Sequence, residues 1–267
     1  MELIMLGTGN ALCTRCYNTC FYLRSAGGGL LVDGGGGNGI FRQLRRAGIA
    51  VEQLRHIFVT HCHTDHILGV VWLIRKISPL IHKGRFAAPL TVHCHPEAAH
   101  ALRTMCRLMM SEKICGALDD TIIFHELDDG EEFTVGDLAL TAFDIHSTKL
   151  KQYGFQAVLP DGQRLVCLGD EPCAAECEHW VAGCDWLLCE AFCLWSERQR
   201  FNPYEKHHST ALDAGRMAGR LQARRLVLYH TEDRRLATRR TAYTAEAAQH
   251  FTGIVHVPDD LETVELA

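Results

Sequence analysis

Thr60-His61-Cys62-His63-Thr64-Asp65-His66-Ile67-Leu68-Gly69 sets four metal-binding side chains, His61, His63, Asp65 and His66, within six residues. Ahead of it, His56-Ile57-Phe58-Val59 is a short run of apolar β-formers and reads as a buried strand. Behind it, Ile67 to Ile77 is apolar, with Arg75 and Lys76 near its end, and reads as a helix. The four ligands therefore fall on a tight strand-to-helix connection. Imidazole nitrogens and a carboxylate oxygen are the donors that a borderline cation such as Zn²⁺ takes. Alternation of side chains sends His61 and His63 to one side of the chain, where they can grip one ion together. Asp65 and His66 then point elsewhere and suit a second ion.

The rest of the chain fits an enzyme-sized globular protein. It has 267 residues, 47% hydrophobic and 22% charged, and no linker or repeat interrupts it, so residues 1–267 read as one domain. No apolar run approaches the ~20 residues that a membrane span needs. Met1-Glu2-Leu3-Ile4-Met5-Leu6 lacks the basic start of an export signal and runs straight into a strand pattern, so the expected location is cytoplasmic. The net charge of −5 provides no overall attraction for nucleic acid. Thirteen cysteines, an odd number, are expected as reduced thiols. Cys167 and Cys189 sit in apolar runs, where cysteine acts as a small hydrophobe.

The spacing His-x-His-x-Asp-His after a buried strand resembles the signature of the metallo-β-lactamase superfamily, and the likeness extends from Leu6-Gly7-Thr8-Gly9 to His230. It implies an α/β architecture, the αββα sandwich: two mixed sheets face to face, helices outside, metals at one edge between the sheets. The alternation of strand and helix patterns agrees. It also implies the remaining ligands. His146 ends the strand Leu138–Phe143, Asp170 follows Arg164–Leu168 in Gly169-Asp170, and His230 ends Leu226–Tyr229. In this reading His61, His63, His146 and Asp170 hold one ion. Asp65, His66, Asp170 and His230 hold the other, and Asp170 bridges the pair. Two divalent ions are expected, Zn²⁺ first, with Mn²⁺ or Fe as alternatives. Asp33, in Asp33-Gly34-Gly35-Gly36-Gly37, matches the residue that supports the metal loop from behind.

Two later stretches resemble the ribonuclease Z-like branch, where a His assists the phosphate or leaving group and a Glu orients it. The matching residues are His208, in His207-His208-Ser209-Thr210, and Glu190, in Cys189-Glu190-Ala191-Phe192. The second stretch departs from the branch's His-Glu-Ala-Thr, with Cys189 for its His and Phe192 for its Thr. The implied reaction is hydrolysis through a metal-bridging hydroxide, with Asp65, His208 and Glu190 as catalytic residues. The segment between His146 and Asp170 is too short for the tRNA-gripping arm of that branch. A small or nucleotide-like phosphodiester is therefore the expected substrate. A ribonuclease Z-type RNA endonuclease, or a lactonase or thioesterase, is the alternative. RNA is thus a less favoured partner, a homodimer is compatible, and no membrane is involved.

Other features have plainer expectations. Cys13, Cys16 and Cys20 read as loop and core cysteines, with a structural zinc as the alternative. His93-Cys94-His95 ends another buried strand and could bind metal in isolation. Pro96 to Met110 reads as a helix with a core stripe at Ala98, Leu102, Met105, Leu108 and Met109. Arg234, Arg235, Arg239 and Arg240 read as a solvated helix face, with a polyanion contact as the alternative.

Overall fold

The computed structural model describes residues 1–86 and 89–266. Its apolar runs become strands. β1 (Glu2–Gly7), β2 (Cys20–Ser25), β3 (Gly28–Val32), β4 (His56–Val59), β5 (Leu90–Cys94) and β6 (Ile122–Glu126) share one sheet. β7 (Glu132–Val135), β8 (Leu138–Asp144), β9 (Tyr153–Val158), β10 (Arg164–Cys167), β11 (Trp186–Glu190), β12 (Arg225–Tyr229) and β13 (Ile254–His256) form the other, and β14 (Thr263–Glu265) returns to the first beside β1. Both sheets are mixed: β3 to β6 and β10 to β13 pair in parallel, the other neighbours antiparallel.

Met5, Phe21, Phe58, Phe155, Trp186 and Tyr229 fill the space between the sheets. A second apolar layer joins the first sheet to helices Gly39–Arg46, Thr64–His82 and Pro96–Met109 through Leu44, Ile57, Leu73, Ile77 and Leu102. A third joins the other sheet to helices Ala211–Arg220 and Arg239–Ala247 through Leu187, Leu228, Met217 and Tyr243. Each large aliphatic side chain in these layers contributes roughly 1.5–3 kcal/mol. Two mixed sheets with helices outside make up the expected αββα sandwich. No described helix is long and apolar enough to cross a membrane.

Several details differ from the sequence reading. The helix after the metal loop spans Thr64–His82, so Asp65 and His66 lie in its first turn rather than on the connection. His63 is its N-cap, and the Asp65 carboxylate suits the positive end of the helix dipole. The helix continues through Pro79, since tertiary packing buries Leu80 beyond it. In helix Pro96–Met109, Ala98 and Leu102 are buried, but Leu108 and Met109 are exposed. Arg239 is buried: its guanidinium donates to Thr8 Oγ1, Thr231 Oγ1, the Pro258 carbonyl and Asp259 Oδ1, at 2.7–3.0 Å. Arg235 pairs with Glu197, and Arg240 with Glu262 and Asp259. Arg235, Arg239 and Arg240 therefore tie elements of the fold together, while Arg234 is exposed.

His93 and His95 do not act together. His95 Nδ1 caps helix Pro96–Met109 by accepting from Ala98 N at 3.3 Å. His93 joins a chain of rings between the sheets and stacks on Phe133, with ring centroids 4.6 Å apart. His125 Nε2 donates to Glu131 Oε1 at 2.9 Å, which leaves His125 Nδ1 to accept from His93 Nδ1 at 3.0 Å. His93 Nε2 then accepts from His56 Nδ1 at 3.1 Å. Every ring in this chain is satisfied as a neutral imidazole. Cys20 is buried in the layer under the first sheet, and Cys13 Sγ donates to the Thr231 carbonyl at 3.1 Å. None of Cys13, Cys16 and Cys20 belongs to a potential ligand group among the described residues.

Burial, and then the neighbouring His56 and His125, push His93 down to about 3. An unfolded histidine takes up its proton near pH 6.5. The stability contributed by neutral His93 is therefore complete above that pH and is lost as the pH falls toward 3, by up to about 1.4 kcal/mol per pH unit. Urea midpoints measured between pH 7 and 4 should fall less steeply for His93→Leu than for the wild type. Parallel slopes would show that His93 does not carry this acid sensitivity.

Candidate metal centre

Asp33, His61, Asp170 and His230 follow the C-terminal ends of β3, β4, β10 and β12. Asp33 organises the group. Its Oδ1 accepts from Thr60 N at 2.9 Å, and its Oδ2 accepts from Thr60 Oγ1 at 2.8 Å and His66 Nδ1 at 2.7 Å. With its proton held on Nδ1, His66 turns Nε2 inward, where it is buried without a hydrogen-bond partner. Thr60 Oγ1 also holds His61 Nδ1 at 2.9 Å, which frees His61 Nε2 on the same side. Helix Thr64–His82 can sit this close because Gly34 and Gly69 lack side chains. Gly34 N donates to the His66 carbonyl and Gly69 N to the Gly35 carbonyl, both at 2.8 Å, and a Cβ at either glycine would strike the other's backbone.

Asp170 Oδ2 lies at the focus. It is 3.5 Å from His61 Nε2, 3.8 Å from His63 Nδ1, 3.8 Å from His66 Nε2 and 3.7 Å from His230 Nε2. Asp65 Oδ2 is 3.4 Å from His66 Nε2 and 3.3 Å from His230 Nε2. Among the potential ligand groups that result are His61-His66-Asp170 and Asp65-His66-His230. His63 stands at the rim, half-exposed, with Nδ1 2.8 Å from His61 Nε2.

The electrostatics call for a cation. Burial alone would raise Asp170 and Asp65, yet His61 and then His63 hold Asp170 well below the usual carboxylate range, and His66 and His230 do the same for Asp65. Burial would lower His66, but Asp65 and Asp33 push it well above the ordinary value. Buried carboxylates facing inward nitrogens thus compete for positive charge. Asp170 Oδ1 and His66 Nε2 remain buried and unpartnered, which is unfavourable unless a ligand satisfies them. This donor set of nitrogens and carboxylate oxygens fits divalent metal ions.

His146 is not brought into either group. It follows β8 at a positive φ of 58°, and its side chain is exposed. Its loop is nevertheless fastened beside the centre, since Ser147 Oγ donates to Glu171 Oε1, next to Asp170, at 2.8 Å. His230 and Asp33 share the left-handed backbone, with φ of 56° and 58°. Such conformations are uncommon for residues other than glycine and gather at functional sites.

His208 and Glu190 lie beside the centre. His208 groups with Asp170 and His230, its ring stacks on Phe192 at 4.6 Å, and burial, then His230, pushes it down to about 3. The hydrogen bond that orients it comes from a different residue than expected. His208 Nδ1 donates to the Asp170 carbonyl at 2.8 Å, while Glu190 Oε2 is 3.9 Å away. Glu190 Oε1 instead accepts from Ser209 N, and burial pushes the Glu190 carboxyl well above its usual range. Thr210, in a capping box with Asp213, caps the following helix, so His208 is free of that duty. His207 points away, its Nδ1 2.7 Å from Thr148 Oγ1. The cavity between these groups measures about 410 Å³, and Asn10, Leu12, Phe192 and Lys206 add to its walls. The sequence marked Phe192 only as a mismatch. Asn10 and Leu12 carried no signal beyond the sharp turn after β1.

Fold and centre together define a metal-dependent hydrolase of the metallo-β-lactamase fold. YhfI from Bacillus subtilis, a protein of that fold, superposes with a TM-score of 0.78 at 17% identity, over 98% of this chain and 98% of that one. The short form of human tRNase Z superposes with a TM-score of 0.75 at 21% identity over the whole of both chains. By sequence, ribonuclease Z of Thermobifida fusca (strain YX) is 28% identical over 313 aligned residues, covering 98% of this chain and 94% of that one. Residues 1–246 match the family model described as anti-Pycsar protein Apyc1, and the chain belongs to that family.

Asp33→Asn should lower metal affinity by roughly 10- to 100-fold, the usual effect of losing a group that orients a ligating histidine. Competition with a chromophoric chelator measures it. Unchanged affinity would show that Asp33 only shapes the turn.

Proposed function

We propose that this protein is a dinuclear metal-dependent phosphodiesterase acting on a small, nucleotide-like phosphodiester. His61, His63 and Asp170 would hold one ion, with His146 turning inward from the rim, and Asp65, His66, Asp170 and His230 the other. Bound there, two divalent ions supply a water-derived nucleophile at neutral pH and screen the charge of a phosphoryl group. Zn²⁺ is the first choice for this donor set, with Mn²⁺ or Fe as alternatives.

The observation that carries the substrate class is His208. It stands at the wall of the cavity, grouped with Asp170 and His230, with its Nδ1 proton held by the Asp170 carbonyl. Its Nε2 is thus left to face the substrate, whose phosphate charge would favour the imidazolium that burial disfavours and so let it donate to the phosphate or a leaving alkoxide. Glu190 fixes the Ser209 backbone, and with it the position of His208. Asp65, itself held by His66 and His230, completes the catalytic set.

Ribonuclease Z-type cleavage of RNA is the second reading, supported by the Thermobifida fusca relative. Against it, β9 and β10 are joined by a tight turn at Pro160-Asp161-Gly162, and Arg235, Arg239 and Arg240 after His230 are paired within the fold. Metal-loaded protein should hydrolyse bis(p-nitrophenyl) phosphate and small nucleotide diesters faster than RNA precursors, lactones or thioesters. Faster turnover of any of those three would replace the reading.

Asp170→Ala should lose most activity. His146→Ala should lose about one ion per chain by elemental analysis. Retention of both would leave His146 outside the ligand set. His208→Ala should keep both ions yet lower kcat by roughly 10²–10⁴-fold. The loss should be smaller for a p-nitrophenolate leaving group, which needs less protonation, than for an alkoxide. Equal losses would reduce His208 to phosphate binding, and His207→Ala is the control.

A further inference from the structure

Cys173 Sγ and Cys177 Sγ lie 3.3 Å apart, in hydrogen-bond contact with one another. Both also reach the Ala174 carbonyl at 3.3 Å, so one turn of backbone holds the two sulfurs together. Neither belongs to a potential ligand group among the described residues, and the reaction proposed above does not use them. Cys173 is half-buried between exposed Pro172 and the turn Ala175–Cys177, and Cys177 is buried at the end of that turn. A disulfide holds its sulfurs about 2.05 Å apart, so closing this pair asks for a movement of about 1 Å. Cys13 and Cys16 stand closer in sequence, but the Cys13 thiol donates to the Thr231 carbonyl at 3.1 Å.

The pair sits where two loops of the metal centre meet. Cys173 follows Asp170 by three residues, and Cys177 Sγ reaches the carbonyl of Ile145, beside His146, at 3.9 Å. Between the two cysteines and Asp170, Glu171 Oε1 accepts from Ser147 Oγ at 2.8 Å and pairs with Lys149 Nζ at 3.5 Å. Trp180, in the short helix Glu178–Val181, stacks on Phe143 of β8 with ring centroids 5.4 Å apart. Cys177 is therefore packed against the end of β8, whereas residues 172–174 have no regular structure. The movement that closes the pair falls on Cys173, and through it on Glu171 and its hold on the His146 loop.

We propose that Cys173 and Cys177 are a reversible dithiol–disulfide site, closed by small disulfides such as oxidised glutathione, and that closure weakens metal binding on the His146 side of the centre. A hydrogen bond between two thiols favours the thiolate of the accepting sulfur, and the thiolate is the attacking form. Cys173, the accessible member, attacks one sulfur of the oxidant, whose S–S bond breaks and releases one thiolate. Cys177 then attacks the Cys173 sulfur of the mixed disulfide, forms the Cys173–Cys177 bond and expels the second thiolate. The two cysteine protons pass to the two departing thiolates, so one dithiol is oxidised and one disulfide reduced. Disulfides in reducing compartments are usually transient, and such pairs act as redox sensors. The pair itself is independent of the phosphodiesterase reading; its effect on the centre rests on His146 being a ligand.

The test equilibrates the protein in glutathione buffers running from reduced to oxidised, alkylates the free thiols and cleaves after Glu176, which separates the two cysteines unless a disulfide joins them. The peptides carrying Cys173 and Cys177 should become joined as oxidised glutathione rises, and a phosphine reductant should part them again. Cys173→Ser should abolish the joined species. After removal of glutathione, competition with a chromophoric chelator should show the oxidised wild type holding metal roughly tenfold more weakly than the reduced protein, the scale of losing a group that positions a ligand. Cys173→Ser should bind metal equally after either treatment. If Cys173 and Cys177 stay free across the series, or the disulfide forms only at another pair such as Cys13 and Cys16, the site is overturned. If the pair closes and metal affinity is unchanged, the site stands and its hold on the centre is overturned. None of these measurements uses turnover, so they stand apart from the fate of the phosphodiesterase reading.

Discussion

The arrangement depends on the Asp33 carboxylate. It is buried, and it accepts three hydrogen bonds, two from Thr60 and one from His66. Those bonds fix the strand-to-helix connection and decide which nitrogen of His66 carries its proton. A carboxylate so buried is favourable only because each of its oxygens is satisfied. The same geometry aims Nε2 of His61 and His66 at Asp170, gathering negative charge and lone pairs into one space. Divalent ions answer both needs at once, which couples metal binding to the local fold.

Backbone strain is concentrated at the same place. Asp33, His146 and His230 all adopt left-handed φ values just beyond strand ends. A strand ending in its ordinary extended course would carry these side chains past the edge of the sheet. A single left-handed residue turns the chain sharply and leaves the side chain beside the centre. The cost, of order 1–3 kcal/mol for each such residue, is tolerated where the surrounding packing over-determines the conformation. β12 meets that condition, being buried over four of its five residues, and so do the last three residues of β3, which are buried.

Charge is handled differently away from the centre. Arg239 reaches through the interior to Thr8, Thr231, Pro258 and Asp259, linking the turn after β1, the segment after β12 and the approach to β14. These contacts hold one wall of the metal cavity, since Asn10 N donates to the Thr231 carbonyl nearby. Arg235, Arg239 and Arg240, which read as part of a solvated helix face, thus act as braces. Lys206, its ammonium 5.0 Å from the Phe192 ring centre, and the exposed Arg234 are cations in the walls of this cavity and the one adjoining it.

The sequence by itself, through the resemblance its motifs carry, pointed to the αββα architecture, and it placed four of the centre's side chains on one local stretch. Strand runs end in residues able to bind metal, and His61, His63, Asp65 and His66 stand so close that one short stretch must present them together. Asp33 was legible through the resemblance, as the residue matching the one that supports the metal loop. Only the tertiary structure decided what depends on distant segments meeting. It set His208 against the Asp170 carbonyl rather than Glu190, and left His146 at the rim. It buried Arg239 and strung His56, His93 and His125 into one chain. It also formed β13 and β14, three residues each, whose short patterns gain strand character only by pairing with β12 and β1. Hydrogen-bond partners and burial are properties of neighbours in space, and a residue's neighbours in sequence do not specify them.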